Sequence, residues 1–195
     1  MDEHKSINYL KQGDISGLET LVNIYQLRAT RAAYLIVRDN HMAEDIVEDA
    51  FLRAYERINQ FDSNQPFGPW FLRIVVNIAK RVSTQHKRNI SLNNVNTNGE
   101  IALEDILADL APSPEEMAEQ ADLNNTVWTA LGKLTPTQRA TIVKRYYLGL
   151  SLNEIATDLD CPVGTIKWRL HCARERLREW LRPLWKHMRN NKPTA

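Results

Sequence analysis

The sequence predicts an all-α protein built of two small helical domains joined by an acidic linker, the C-terminal domain carrying a helix-turn-helix. Three observations lead there. Apolar side chains recur at helical spacing along most of the chain, and strand-type alternation is hard to find. Glycine and proline are sparse, seven and eight in 195 residues, which leaves room for long uninterrupted helices. Charge is also segregated: a net +1 conceals blocks of −3 (1–60), +4 (61–90), −8 (91–126), +1 (127–160) and +7 (161–195). Two basic blocks flank one that holds eight acidic side chains and no basic one, as suits two contact sites on a polyanion tied by an anionic tether.

A first helix is expected from about Ile15 to Arg38, where Leu18, Leu21, Val22, Tyr25, Ala29, Ala32, Ala33 and Ile36 keep helical spacing. Asp39-Asn40-His41 breaks it, and a second helix follows from about Met42 to Asn59. Phe61 to Pro69 is rich in turn formers, and Pro69 opens a third helix to about Gln85. The Asn-rich stretch 91–100 is the best linker candidate. The domains are therefore placed at 1–88 and 122–195, with the acidic linker at 89–121. In the second domain, Thr135-Pro136 starts a helix that Gly149 ends. Ser151–Leu159 is a short amphipathic helix, Asp160-Cys161-Pro162 a break, and a basic helix begins near Val163. Ile166, Leu170, Ala173 and Leu177 form its buried stripe, leaving Lys167, Trp168, His171 and Cys172 on the free face.

Two further faces stand out. On the second helix Val47, Ala50, Phe51, Ala54 and Ile58 point inward, while Leu52 sits among Asp45, Glu48, Asp49 and Glu56. An apolar anchor framed by carboxylates suits a protein partner with a basic rim. On the third helix Phe71, Ile74, Val75, Ile78 and Val82 point inward, and Trp70, Arg73, Asn77, Lys80 and Arg81 lie within about 100° of one another on another side. An aromatic to stack a base, cations for phosphates and an amide for a base edge suit melted nucleic acid better than duplex.

Other classes fare worse. No apolar run reaches membrane-spanning length and the first ten residues lack a signal-peptide pattern, so a cytoplasmic protein is expected. Cys161 and Cys172, the only cysteines, form neither a disulfide framework nor a zinc pattern. A metal site from His41, Glu44, Asp45 and Glu48 lacks the Glu-x-x-His pairing of carboxylate-bridged bundles. No nucleophile, base and orienting group cluster, so no enzyme, cofactor or small-molecule substrate is expected. A stand-alone helix-turn-helix regulator would need a dimerisation surface or effector pocket, and the first domain offers neither.

Taken together, Ala43–Asp62, Pro69–Arg81 and Leu134–Leu181 resemble, in order and spacing, the sigma-70 superfamily of bacterial transcription initiation factors, in its two-domain extracytoplasmic-function (ECF) branch. The resemblance implies a sigma factor that binds core RNA polymerase, recognises the −35 and −10 promoter elements and promotes melting. It assigns Asp45, Glu48, Asp49, Phe51 and Leu52 to the polymerase β′ clamp, and the C-terminal domain to the β flap. Phe61, Ser63, Asn64, Gln65 and Pro66, with Asn77, match a pocket for a base flipped from the −10 strand. Trp70, Arg73, Lys80 and Arg81 belong to the same melted-strand surface. Thr165, Lys167, Trp168, Arg169, His171, Cys172 and Arg174 are implied readers of the −35 duplex, and an anti-sigma factor is an implied further partner. Many relatives carry a small residue where Trp168 stands and an arginine in place of Cys172, so an unusual −35 sequence is expected.

Overall fold

The computed structural model describes residues 2–93 and 126–182. The described residues are helical with no strand. In the first domain α1 (Glu3–Lys11) lies across α2 (Gly17–Val37), which packs with α3 (Asn40–Glu56) and α4 (Phe67–Asn93) into a bundle. A single 3-10 turn, Ile58–Gln60, links α3 to the loop ahead of α4. The second domain comprises α5 (described over 126–132), α6 (Pro136–Ile142), a π turn (Val143–Tyr147), α7 (Leu152–Asp158) and α8 (Val163–Trp180).

The bundle core follows from the expected stripes. Leu21, Ala29, Ala32, Ala33 and Ile36 of α2 are fully buried against Ala43 and Ala50 of α3 and Phe71, Val75, Val76 and Ala79 of α4. The alanines let the helix backbones approach, and the rings of Phe51, Phe67 and Phe71 fill the wider end. Arg38 closes α2 in the left-handed region, φ 65°, where glycine would be easier. Only Arg38 and Asp39 separate the two helices: the Asp39 carboxylate accepts the Met42 N–H at 2.8 Å, so Asn40 and His41 lie inside α3 rather than in the break.

Two elements differ from expectation. The polar stretch after Gln85 continues α4 to Asn93, beyond the domain edge placed at residue 88. Residues 94–121 of the expected linker lie outside the described residues. The second difference is α1, which sequence periodicity does not announce. It seats because Gly17 lets the Ser6 carbonyl approach to where a Cβ would stand 2.3 Å away. Ile7 and Leu10 are then buried, and the Tyr25 hydroxyl donates to Glu3 Oε2 at 2.6 Å.

In the second domain both short helices start with a complete capping box, Thr135/Gln138 and Ser151/Glu154. Such caps supply much of what makes seven-residue helices stand at all. Gly149, φ 70°, ends the π turn, and Asp160, φ 48°, makes the sharp corner before α8. Leu150, Ile155, Ala156, Leu159, Ile166 and Leu170 form the small core of the helix-turn-helix.

The domains pack together. Trp128 stacks on Tyr34 with centroids 4.3 Å apart, and the Arg38 guanidinium covers the indole at 4.6 Å. Arg139, 7% exposed, reaches from α6 between the C-terminal ends of two helices. Its Nε donates to the Ile36 carbonyl at 2.7 Å, Nη1 to the Leu134 carbonyl at 2.9 Å, and Nη2 to Ser83 Oγ at 3.2 Å. Carbonyl ends of helices carry partial negative charge and suit a cation. Burial, and then the neighbouring Arg38 charge, still lower the Arg139 pKa to about 10.

Candidate polymerase and promoter surfaces

On α3 the expected acidic face is present. Leu52 is 57% exposed, and Asp45, Glu48 and Glu56 are exposed around it. Asp49 is half-exposed and accepts from Arg53 Nε at 3.0 Å. Phe51 faces the other way: it is 5% exposed and stacked on Phe71 at 4.4 Å. It shapes this face from beneath and has little surface to offer a partner. His41 and Glu44 approach only to 3.8 Å on the open surface. Among the described residues no three His, Cys, Asp or Glu are grouped to hold a metal ion.

The loop before α4 is braced from inside and from the side. Phe61 is 3% exposed, its ring 5.0 Å from Trp70 and 5.5 Å from Phe67. It anchors the loop instead of lining an open pocket. Asp62 Oδ1 accepts both the backbone N–H and the side-chain amide of Asn64, each at 3.0 Å, and the Asp62 carbonyl accepts the Gln65 N–H at 2.9 Å. Lys11 of α1 donates to the Phe61 carbonyl and to Ser63 Oγ, both at 2.8 Å. Ser63, Asn64, Gln65 and Pro66 remain exposed on this frame.

From the loop the surface runs onto α4. Trp70 is half-buried against Phe61 and Phe67. Asn77 is exposed two turns further along the same side, about 10 Å up the axis. Arg81 is exposed and Lys80 half-buried. Arg73 is already engaged: its guanidinium pairs with Glu154 of α7 and stands 3.6 Å from Asp158 Oδ2. Asp158 also accepts from Lys144 Nζ at 2.8 Å, and that side chain is completely buried. Burial lowers the Lys144 pKa against the opposing pull of Asp158. The contacts of Lys11 with Ser63, Arg139 with Ile36, Lys144 with Asp158 and Glu154 with Arg73 carry no local sequence signal, because each partner is more than ten residues away.

The recognition helix α8 presents Lys167, Trp168, His171 and Arg174 to solvent, Trp168 at 64% exposure. Thr165, Arg169 and Cys172 are half-buried. Cys172 thus lies at the edge of the free face rather than on it, and Arg169 Nη1 is turned back toward Cys161 Sγ at 3.5 Å. A Cβ on Gly164 would meet nothing within 4 Å, so the start of α8 is open to an approaching groove.

An all-helical pair of domains, one with an acidic apolar-centred face and a cation–aromatic–amide face, the other with an exposed recognition helix, defines a sigma-type transcription factor. Residues 21–89 match the description of sigma-70 region 2 and residues 124–177 that of sigma-70 region 4. The chain is similar to the ECF RNA polymerase sigma factor SigW of Bacillus subtilis, 36% identical over 182 residues that span 92% of this chain and 97% of that one. It is 30% identical to the ECF RNA polymerase sigma-E factor of Escherichia coli K12, covering 91% and 93% of the two chains. It belongs to the ECF branch of the sigma-70 family. Among solved structures, the sigma factor RpoE of Bartonella quintana in complex with the anti-sigma factor NepR shares the fold, with a TM-score of 0.60, 21% identity and coverage of 84% and 96%. So does CnrH in complex with the cytosolic domain of CnrY, with a TM-score of 0.56, 22% identity and coverage of 93% and 99%. No helix among the described residues is long and apolar enough to cross a membrane.

Proposed function

We propose that this chain delivers core RNA polymerase to promoters by dividing the work among three surfaces. The α3 face, with Leu52 as anchor and Asp45, Glu48 and Asp49 as rim, binds the β′ clamp. The loop 63–66 and the α4 side bearing Trp70, Asn77, Lys80 and Arg81 hold the melted −10 strand. Thr165, Lys167, Trp168, His171 and Arg174 meet the −35 duplex, and this second domain docks on the β flap. Residues 1–88 and 122–195 serve as the two contact domains, with 89–121 as the tether. The chain performs no covalent chemistry and takes no cofactor. The sigma factor RpoE of Bartonella quintana is held by the anti-sigma factor NepR, and a partner of that kind is part of the reading.

The observation that carries the proposal is the continuity of the braced loop with the Trp70–Asn77 side of α4. A rigid platform can offset the few kcal/mol that extracting one base costs, and phosphate contacts fix register without discrimination. The test is reconstitution with core polymerase on promoter DNA, alongside the double variant Leu52→Arg/Asp49→Arg. The variant should lose co-purification with core at unchanged helix content. Wild-type core affinity in that variant overturns the α3 assignment.

A further inference from the structure

We infer that Lys11, on the helix that precedes the stretch matching sigma-70 region 2, is a positioning residue for −10 base reading. In this role it holds the Phe61–Pro66 loop and turns the Ser63 hydroxyl outward as a donor. The inference rests on the reading of that loop given above.

The geometry leads there in three steps. Lys11 is half-buried on the α1 face that also carries Glu3, Ile7 and Leu10, so its stem is fixed by the packing that seats the helix. That seat is itself well determined, by the Gly17–Ser6 approach, the Tyr25–Glu3 hydrogen bond and the Tyr55 hydroxyl donating to the Gly13 carbonyl at 3.3 Å. The ammonium then bridges two loop oxygens two residues apart and lies 5.8 Å from the Phe61 ring centroid. Among the described residues it forms no ion pair with a carboxylate. A cation spent on a carbonyl and a hydroxyl, with no anion, acts on the loop itself.

The consequence for Ser63 is chemical. A hydroxyl has one proton and two lone pairs. With one lone pair taken by an ammonium, the proton must point away from Lys11, and the cation polarises it toward donation. Ser63 is exposed, so that proton is available to an acceptor that enters the loop. The second lone pair is left a weaker acceptor beside the cation, so the loop favours a base edge that offers a carbonyl oxygen or ring nitrogen over one that offers an amino group. The Asn64 amide, by contrast, is already turned onto Asp62.

The experiment uses reconstituted holoenzyme and promoters carrying each of the four bases in turn at every non-template −10 position, with open-complex formation as the readout. Lys11→Met should lower the ratio between best and poorest base about tenfold, the scale of one charge-assisted hydrogen bond. The loss should fall at one position, the same one that Ser63→Ala affects. Lys11→Arg, which can still donate to both oxygens, should retain most of the ratio. The double variant Lys11→Met/Ser63→Ala should lose no more than either alone, since the two act as one unit. Core affinity should stay at the wild-type value, and Tm should fall by no more than a few degrees. Full discrimination in Lys11→Met, with Ser63→Ala and Asn77→Ala impaired, overturns the role of Lys11. So does a uniform loss at all positions that tracks a fall in Tm and is not rescued by arginine. Intact preferences in both Ser63→Ala and Asn77→Ala defeat instead the underlying reading of loop and α4, and this inference with it.

Discussion

Arg73, a cation of the strand-reading side of α4, is paired with Glu154, the N3 residue of the first helix of the helix-turn-helix. A carboxylate from the second domain thus occupies a guanidinium on the α4 side proposed to hold the −10 strand. In this arrangement the two surfaces proposed to face the promoter hold each other, and a phosphate that is to reach Arg73 must displace Glu154.

Glu154→Gln tests that restraint cleanly, because glutamine also completes a capping box. Both side chains are partly exposed, 31% and 47%, so the pair is worth at most about 1 kcal/mol. The variant should bind a single-stranded −10 oligonucleotide about two- to fivefold more tightly in the absence of core. Fluorescence anisotropy measures this. An unchanged Kd means the pair imposes no restraint.

Asp158→Asn should behave differently, although it removes a neighbouring carboxylate. Asp158 is the partner of the fully buried Lys144, and the substitution strands that ammonium. Breaking a buried pair from one side costs about 3–5 kcal/mol, against about 1 kcal/mol or less for Glu154→Gln. Thermal unfolding of the two variants should separate them plainly. Equal Tm values contradict the burial of Lys144.

Acid should loosen the start of the helix-turn-helix. Hydrogen bonds from the Ser151 backbone and hydroxyl, and secondarily the Arg73 charge, hold the Glu154 pKa below its usual 4.5. A depressed carboxylate contributes stability that is complete above 4.5 and is lost as pH falls through the lower folded value. Tm should therefore fall more steeply below pH 4.5 in the wild type than in Glu154→Gln, in which nothing titrates at that cap. Parallel curves refute this.

The recognition helix supplies a fourth expectation. Of its exposed free-face side chains, Lys167 and Arg174 are the permanent cations, and Trp168 offers bulk instead. Cys172→Arg should strengthen −35 binding by holoenzyme, by about 1–3 kcal/mol if the guanidinium finds a guanine. Its position at the edge of the face makes the lower end the expectation. Footprint titrations on −35 variants measure it, and no gain on any sequence argues that residue 172 lies outside the groove.

What the sequence makes legible here is what depends on neighbours a few residues away. The stripes of α2, α3 and α4 and the helix-turn-helix core fall where helical spacing puts them. The loop 61–66 is recognisable by its turn formers, but that Phe61 is its buried anchor depends on Phe67 and Trp70 closing over it. α1 escapes notice because nine mostly polar residues owe their order to Gly17 and Tyr25 in another helix. Arg139 and Lys144 read as ordinary surface cations, and only long-range contacts with Ile36, Ser83 and Asp158 reveal them as buried.

The π turn at Val143–Tyr147 sets the angular phase of everything that follows it. Its extra residue, closed by the Leu148 N–H on the Val143 carbonyl at 3.0 Å, shifts the chain about 100° relative to a continuous α-helix. That offset decides which way α7 and α8 leave α6, and so where the recognition helix points relative to α4. The segment therefore acts as a spacer as well as an anchor: Val143 and Lys144 fix it to the core while its length sets the angle. Tyr146 is 60% exposed and outside the core, whereas losing one residue between 143 and 147 would re-aim the entire helix-turn-helix while leaving every side chain of α8 unchanged.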